Sequence, residues 1–293
     1  MRAFVAVATL GSFVEAARRL RMSPSAITRA VAQLEDQLGS TLLSRTTRSL
    51  RLTERGELYL ESSRRILEDI NDAERRARGQ DTEPLGLLTV AAPIVFGRLH
   101  AMPIVTGLLL QYRALSVRLT LSDRNVQLIE EGVDVAIRIG DLADSSLISS
   151  RLGEVGRILV ASPDYIEARG RPAAPEALAD HDIIAFEGVD TGGVWRFGAE
   201  AKGIKVAPRL VVNSADAANA AAEAGLGIAR ALSYQVREAV EAGRLVPLMR
   251  PFEPAPAPVS AVSPPRRAAA ANVAAFIRAA REHVKVNPLG LVA

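Results

Sequence analysis

The chain has 293 residues, a formal net charge of +3 and no cysteine. This length accommodates two domains, and the 48% of hydrophobic residues is typical of a globular protein. The absence of cysteine excludes disulfides, thiolate metal sites and thiol catalysis. The three histidines stand far apart, without the spacing of metal ligands on a helix, so we expect neither a metal site nor a cofactor.

The N-terminus shows a short amphipathic pattern in place of a signal peptide. The most apolar run, residues 104–110, is too short to span a bilayer. We therefore expect a cytoplasmic protein that has no membrane partner.

Positive charge is concentrated in the first fifth of the chain. Residues 1–55 hold nine arginines and four acidic residues, a net charge of +5, which leaves about −2 for the remainder. A basic segment on a slightly acidic body favours a domain that binds a polyanion. Lysine is nearly absent, so arginine is the default cation here and no single arginine is evidence of function.

Two short helices with apolar residues at helical spacing are predicted first. The first covers residues 1–10, and the second follows Ser12, which is predicted to cap it. After a tight turn, Ser23 is a good N-cap, Pro24 suits the first helical position and Gly39 suits a left-handed C-cap. The apolar stripe of this third helix consists of Ile27, Val31, Leu34 and Leu38. Its opposite face carries Ser25, Thr28, Arg29 and Ala32.

A helix, a short turn and a helix with a small, basic outer face are typical of a DNA-binding helix-turn-helix. The alternative is a three-helix domain that has no ligand. The following segment, residues 42–53, is apolar at its ends and basic in the middle, and its end alternates like a strand. It predicts a small wing whose tip, Thr46, Thr47 and Arg48, faces phosphate or the minor groove.

Thr53 is predicted to cap a long helix over residues 54–78. Its heptad-like apolar seam favours pairing between subunits, and packing on its own domain is the alternative. The seam is formed by Tyr59, Ser63, Ile66, Ile70, Ala73 and Ala77. The turn-rich residues 79–84 then predict a domain linker.

Strand and helix patterns alternate beyond the linker, which predicts a mainly parallel sheet covered by helices. The predicted strands are residues 87–91, 117–121, 133–139, 157–161, 183–186, 206–212 and 259–262. The predicted helices are residues 96–112, 125–132, 163–169, 175–180, 215–224, 234–242 and 269–284. No phosphate loop is present, because Gly225-Leu226-Gly227 is followed by Arg230 at the last position of the dinucleotide fingerprint.

With these elements in order, the chain resembles the LysR-type transcriptional regulators over essentially its whole length. The resemblance rests on residues 4–8, 11–20, 23–39, 42–48, 52–56, 92–98, 132–140, 160–163 and 224–229. It implies an α/β protein with an N-terminal winged helix-turn-helix (residues 1–53), a dimerising linker helix and hinge (54–84) and an effector domain like a periplasmic binding protein (85–288).

The resemblance also implies two lobes in the effector domain. We expect lobe one at residues 85–161 plus 267–288 and lobe two at 162–266, with crossovers near Ser162-Pro163 and Ser263-Pro264. Members of the family act as homodimers or as homotetramers built from dimers. The expected partners are double-stranded promoter DNA and a small-molecule effector, and RNA polymerase is a further candidate.

Mapped onto this sequence, the resemblance implies DNA contacts from the third helix and from the wing. The expected residues are Ser23, Ser25, Thr28, Arg29, Arg45, Thr46, Arg48 and Arg51. The expected effector contacts are Pro93, Ile94, Val95, Phe96, Arg138, Ser214, Ile228 and Arg230.

Two helix N-termini, near Pro93 and at Ser214, are expected to face one cleft and to favour a small anionic organic metabolite. Arg138 is polar on an otherwise apolar strand and adds a cation, unless it forms a structural ion pair with Asp134 or Asp141. Arg230 stands where relatives have an apolar turn, so it is expected to bring a new cation to the cleft rim.

The leading hypothesis is a DNA-binding regulator that responds to an effector. A solute-binding protein of a transport system is the alternative, which the two lobes alone would permit but the basic N-terminal segment opposes. We expect no enzyme, because no nucleophile–base arrangement, metal cluster or phosphate loop is visible, and fold alone does not assign chemistry.

Overall fold

The computed structural model describes residues 1–45, 50–77, 83–142, 146–187, 193–198, 200 and 202–290. The chain forms two compact units, Met1–Asp81 and Thr82–Ala293. The division falls within the predicted linker, most of which, residues 79–82, lies outside the described residues.

The first unit begins with three helices, α1 (Arg2–Leu10), α2 (Phe13–Leu20) and α3 (Pro24–Leu38). The predicted caps are confirmed. The Ser12 hydroxyl accepts the N–H of Glu15 at 3.3 Å, and the Ser23 hydroxyl accepts the N–H of Ala26 at 3.2 Å. Gly39 ends α3 with φ 58°, the left-handed conformation that glycine adopts without strain.

The apolar stripes of these helices meet in one core. Ile27, Val31 and Leu34 of α3 are buried there, but Leu38, which belongs to the same predicted stripe, is 43% exposed because α3 ends beside it. The other buried members are Ala3, Phe4, Val7, Ala16, Ala17, Leu42, Leu43 and Leu60.

The predicted wing is an antiparallel hairpin of β1 (Leu43–Arg45) and β2 (Leu50–Leu52), whose tip lies outside the described residues. It is fastened to α3 because the Glu35 carboxylate accepts the backbone N–H groups of Leu42 at 2.7 Å and Leu43 at 3.0 Å. Thr53 then caps α4 (Glu54–Ala77), accepting the N–H of Gly56 at 3.0 Å.

In its described residues, the second unit contains two five-stranded sheets, a separate hairpin and covering helices. Its strands are β3 (Gly86–Ala92), β4 (Leu115–Leu121), β5 (Val135–Ile139), β6 (Ile148–Val155), β7 (Arg157–Ala161), β8 (Ile183–Phe186), β9 (Val194–Phe197), β10 (Lys202–Lys205), β11 (Pro208–Val212), β12 (Ile228–Leu232), β13 (Val246–Leu248) and β14 (Ala257–Ser263). Its α-helices are α5 (Ile94–Phe96), α6 (Met102–Gln111), α7 (Pro163–Arg169), α8 (Ala215–Glu223), α9 (Ser233–Glu241), α10 (Pro265–Ala268) and α11 (Ala271–Val286). Gly97–Ala101 is a π-helical turn, and Pro175–Asp180 and Arg250–Phe252 are 3₁₀ turns.

The sheets have the orders β4-β3-β5-β14-β6 and β11-β8-β12-β7-β13, and β9 and β10 form a separate hairpin. Each sheet is mixed, so the prediction of mainly parallel pairing is wrong. β3 pairs in parallel with β4 and β5, and β8 with β11 and β12, but β14 and β7 run antiparallel to their neighbours. Alternation of strands and helices does not reveal a strand that reverses direction after crossing between sheets.

The sheet topology corrects the predicted lobe boundaries. β7 belongs to the second sheet and β14 to the first. The chain therefore crosses at Gly156 and within residues 253–256, and the predicted crossovers at Ser162-Pro163 and Ser263-Pro264 are wrong. Below, lobe one is the part built on the first sheet and lobe two the part built on the second.

Other local predictions also need correction. Residues 125–132 form only a single turn, because the Glu131 carboxylate binds the N–H of Gln127 and Gly132 adopts a left-handed φ of 61°. Several strands were not predicted. β6 is polar and half exposed, β12 is short and wholly buried, and β13 contains Pro247, as only an edge strand tolerates.

The segment Ile94–Gln111 is a continuous run of helix. Its 18 residues have a mean hydropathy of 1.4, so by length and composition alone the segment could cross a membrane. In the structure, 44% of the segment is buried inside the unit. Its buried side chains, including Phe96, Ile104 and Leu108, belong to the main core, as in a central helix of a globular domain.

We expect Gly227→Ala to destabilise the second unit. A Cβ there would lie 2.3 Å from the carbonyl oxygen of Asp182, which already accepts the N–H of Ile228 at 2.8 Å. Overpacking of this kind costs about 1–3 kcal/mol, to be measured by urea unfolding. Gly107→Ala on α6 is the control, because it has no atom within 4 Å and should stabilise by up to about 1 kcal/mol. Equal losses in both variants would contradict the prediction.

Candidate functional site

The outer face of α3 is open to solvent. Ser25, Thr28 and Arg29 are exposed, as a helix that enters the major groove requires. Ser23 is exposed as well, but its hydroxyl is engaged, because it accepts the Ala26 N–H and lies 3.0 Å from the hydroxyl of Ser25. Its role in the structure is therefore to hold the start of α3.

The wing adds Arg51, which is exposed on β2. The Arg45 side chain, Thr46 and Arg48 lie outside the described residues, so these contacts remain predictions. Helix α2 adds two cations that were not singled out from the sequence. Arg19 and Arg21 are exposed at its C-terminal end. Arg18 beside them pairs with Glu15 at 2.8 Å.

A cavity of about 230 Å³ lies between lobe one and lobe two. Lobe one lines it with the ends of β3 and β4 and with β5, and lobe two with Phe186 and the first turn of α9. The lining is Ala91, Ala92, Pro93, Ser122, Asp123, Arg124, Asn125, Val126, Ala136, Ile137, Arg138, Ile139, Arg157, Phe186, Leu232, Tyr234 and Gln235. The cavity lies beyond the carboxyl ends of parallel strands, where open α/β sheets bind ligands.

The charged lining is mostly cationic. Arg138 donates to the backbone carbonyl of Val126 at 3.1 Å, and neither Arg138 nor Arg157 has a carboxylate partner among the described residues. The predicted alternative was an ion pair of Arg138 with Asp134 or Asp141. It is wrong, because Arg138 pairs with neither, and Asp134 pairs with Arg267 at 2.8 Å. Arg124 is different, since it pairs with Glu131 at 3.4 Å and is 76% exposed.

The two helix N-termini that were expected to favour an anion are both occupied by the protein. The N–H of Ile94 donates to Asp123 at 3.0 Å. At α8, Ser214 accepts the N–H of Ala217 at 3.3 Å, and Asp216 in the first turn pairs with Arg98 at 3.2 Å. Ser214 does not line the cavity, so its predicted effector contact is not supported.

Several other predicted effector residues lie in the core. Val95 and Phe96 are buried in the main core, and Ile94 does not line the cavity. Ile228, on β12, is buried within lobe two in the same hydrophobic cluster as Trp195. Of the eight predicted residues, Pro93 and Arg138 line the cavity.

Arg230 does not lie at the cleft rim. It is 8% exposed, and its guanidinium carbon is 5.2 Å from the ring centre of Trp195, a cation–π contact on the Ile228 side of β12. Arg230 is not among the residues that line the cavity, and the contact with Trp195 places its side chain beside the hydrophobic cluster of lobe two.

Reasoning from the sequence missed Asp123, Arg157 and Tyr234 as cavity residues. The available signal for Asp123 was its position just after a predicted strand, where polar side chains reach a ligand. Arg157 had no such signal, because its position follows from the crossing between the sheets.

An aromatic and histidine cluster adjoins the cavity. His100 is 7% exposed, its Nδ1 lies 3.2 Å from Nε2 of His283, and its ring lies 5.5 Å from that of Tyr234. Burial lowers the pKa of His100 to about 4, and the charges of His283 and Arg237 act in the same direction. No group of three or more side chains suited to a metal ion occurs in the described part of the chain.

Comparison with known proteins agrees with this arrangement. Residues 1–57 match the family described as bacterial regulatory helix-turn-helix protein, lysR family, and residues 81–285 match the LysR substrate binding domain. The regulator CrgA of Neisseria meningitidis serogroup C (strain 8013) is 35% identical over 250 residues, 84% of this chain and 83% of CrgA. A transcriptional repressor of Pseudomonas aeruginosa (strain UCBPP-PA14) is 32% identical over 292 residues, 98% of this chain and 92% of the repressor.

A solved structure agrees over the whole chain. CrgA from Neisseria meningitidis superposes with a TM-score of 0.62 at 30% identity, covering 96% of each chain. A basic helix-turn-helix unit followed by a two-lobed binding unit defines a DNA-binding regulator that responds to a small-molecule effector. This chain belongs to the LysR family of transcriptional regulators. Members bind promoter DNA and small-molecule effectors and form oligomers.

We expect His100→Gln to flatten the acid dependence of stability. The unfolded chain binds a proton near the ordinary pKa of about 6.5, whereas folded His100 does so only near pH 4. The unfolded state therefore binds more protons between these values, and stability is lost as pH falls through the window. The measurement is Tm from pH 7 to 4. His181→Gln, which retains His100, should keep most of the dependence, and an unchanged slope in the His100 variant would refute the assignment.

Proposed function

We propose that this regulator binds promoter DNA through the outer face of α3 and through the wing, and that a small organic anion bound between the lobes changes that binding. The observation that carries the second part is the pair of cavity arginines, Arg138 and Arg157, for which no described residue supplies a counter-ion. An anion that enters between them supplies the negative charge that these arginines lack. It would contact both lobes, because Arg138 lies on β5 of lobe one and Arg157 begins β7 of lobe two.

The proposal of DNA binding is supported by the outer face of α3, which is basic and carries small side chains. Ser25 and Thr28 leave room for Arg29 to approach the bases, and Arg51 is in position for a contact from the wing. We propose Arg45, Thr46 and Arg48 as additional wing contacts.

We further propose that the protein acts in the cytoplasm, where promoter DNA is found, as a homodimer or homotetramer. The sequence-predicted seam of α4 supports this, because Ile66 and Ile70 are 45% and 40% exposed in the single chain. Tyr59, earlier in the same seam, instead packs on Phe4 at 5.5 Å. RNA polymerase is a candidate partner at the promoter. We assign no catalytic activity, in line with a family that is generally non-enzymatic.

We expect Arg29→Ala to weaken binding to the promoter fragment beside the protein's own gene. A base contact contributes about 1–3 kcal/mol, at least fivefold in affinity, and relaxes specificity. A phosphate contact instead weakens all sequences alike and lowers the salt slope by about one. Electrophoretic mobility shifts at several salt concentrations separate the two cases. The control is Arg113→Ala, which removes the same charge from the second unit and should leave promoter binding unchanged. If the wild-type protein gave no salt-sensitive, site-selective mobility shift, the proposal that it binds promoter DNA would be refuted.

We expect Arg138→Ala to impair binding of carboxylate effectors without loss of promoter binding. A thermal-shift screen of small carboxylic acids at pH 7 identifies binders, because a ligand of the native state raises Tm. A charge-assisted hydrogen bond contributes about 1.5–3 kcal/mol, so affinity should fall at least about tenfold. Arg278→Ala, an exposed arginine on α11, is the control. A normal titration by the Arg138 variant would contradict the site.

A further inference from the structure

We propose that the cleft selects organic acids that also carry a hydrogen-bond donor, a hydroxyl or an amino group, and that Asp123 and Tyr234 recognise this donor from opposite lobes. This inference rests on the proposed function and adds the chemical class of the effector. It follows from two polar atoms, on residues that line the cavity, for which the described residues supply no hydrogen-bond partner.

Asp123 lies at the lobe-one side of the cavity, two residues after β4 ends. Its Oδ1 accepts the N–H of Ile94 at 3.0 Å, whereas its Oδ2 is buried and has no hydrogen-bond partner within the described ranges. Burial raises the pKa of this carboxyl, the Ile94 N–H opposes the rise, and nearby Asp216 adds to it. A buried carboxylate oxygen normally accepts hydrogen bonds, so Oδ2 can accept one from a donor group of a ligand.

Tyr234 lies on the opposite wall, in the first turn of α9 in lobe two. It is 4% exposed, and its hydroxyl is buried without a partner among the residues that the structure describes. The ring is fixed by lobe one, at 5.6 Å from Phe96 and 5.5 Å from His100. The hydroxyl is therefore held in place, and the side chain contacts lobe one even though α9 belongs to lobe two.

The Tyr234 hydroxyl stays protonated under all ordinary conditions. Burial raises its pKa well above the ordinary value, and the charges of Asp123 and Asp216 act in the same direction. The Gln235 side chain acts in the opposite direction, and its Oε1 accepts the N–H of Leu232 at 2.9 Å. A ligand hydroxyl or amino group between them can donate to Asp123 while it is bound by Tyr234.

The remaining charges define the other end of the ligand. Arg138 and Arg157 call for a carboxylate, but a second carboxylate placed at Asp123 would meet a negative charge. An acid that has only carboxylates therefore satisfies the arginines and leaves Asp123 and Tyr234 unpaired. The cavity of about 230 Å³ lies below the roughly 300–1,000 Å³ of pockets for drug-sized ligands, so the ligand is small.

The test uses matched acids on full-length protein at pH 7, measured by calorimetric titration and by thermal shift. The sets are propanoate, lactate and alanine; succinate, malate and aspartate; and 3-phenylpropanoate, phenyllactate and phenylalanine. In the set that fits the cavity, we expect the hydroxy or amino acid to bind at least tenfold more tightly than the acid without a donor. The hydroxy and amino members of that set then identify which donor is used.

Asp123→Asn is the decisive variant, because its amide retains an oxygen for Ile94 but presents N–H groups to the ligand. We expect the preference for a donor to fall below threefold. Asp141→Asn, an exposed aspartate after β5, should keep the full preference. In the ligand-free state the Asp123 variant should have an unchanged or higher Tm, since the charged carboxylate is buried without full compensation.

The outcomes separate the two levels of inference. If acids without a donor bind as tightly as their partners, the donor proposal is overturned and the anionic-effector function stands. If none of the acids binds, both fall. A drop in Tm of more than about 5 °C in ligand-free Asp123→Asn would show that Asp123 serves only to hold the start of α5, and would also overturn the proposal.

Discussion

The crossing of the chain between the two sheets is the constraint on which the cleft depends. β7 and β14 each leave the sheet of the preceding strand, so the lobes are joined through Gly156 and residues 253–256. At the first crossing the Ser233 hydroxyl lies 3.1 Å from the N–H of Gly156 and 2.8 Å from the carbonyl of Leu289. The next residue is Tyr234, so one turn of α9 both fixes the crossing and forms a wall of the cavity.

The proposed preference for an anion has a different physical origin from the one that the sequence suggested. Helix dipoles at Pro93 and Ser214 were the expected source, but Asp123 and the Ser214 hydroxyl already satisfy those helix starts. In the proposed function the charge preference comes instead from the guanidinium groups of Arg138 and Arg157, which line the cavity. The two arginines come from different lobes, as the two helix ends would have done, but they carry full positive charges in place of the partial charges of helix dipoles.

Local features were predictable and long-range pairing was not. The caps at Ser12, Ser23 and Gly39 depend on residues within three or four positions, so the sequence was sufficient to predict where α3 begins and ends. Arg138 was found because an arginine interrupts an apolar alternation. Arg157 and Arg230 required knowledge of which sheet each strand joins and which face it turns to the cavity, and neither follows from spacing along the chain.

The Glu35 carboxylate, which binds the first two backbone amides of the wing region, has a consequence for regulation. Because a side chain of α3 binds the backbone at the start of the wing, these two elements are held together at that point, and in the proposed function a single subunit presents them to DNA as one surface. If the protein works as proposed, an effector would not reshape this surface within one subunit. It would instead change the separation between the subunits of the oligomer, so that each subunit reads the same sequence while the accepted spacing of the half-sites changes.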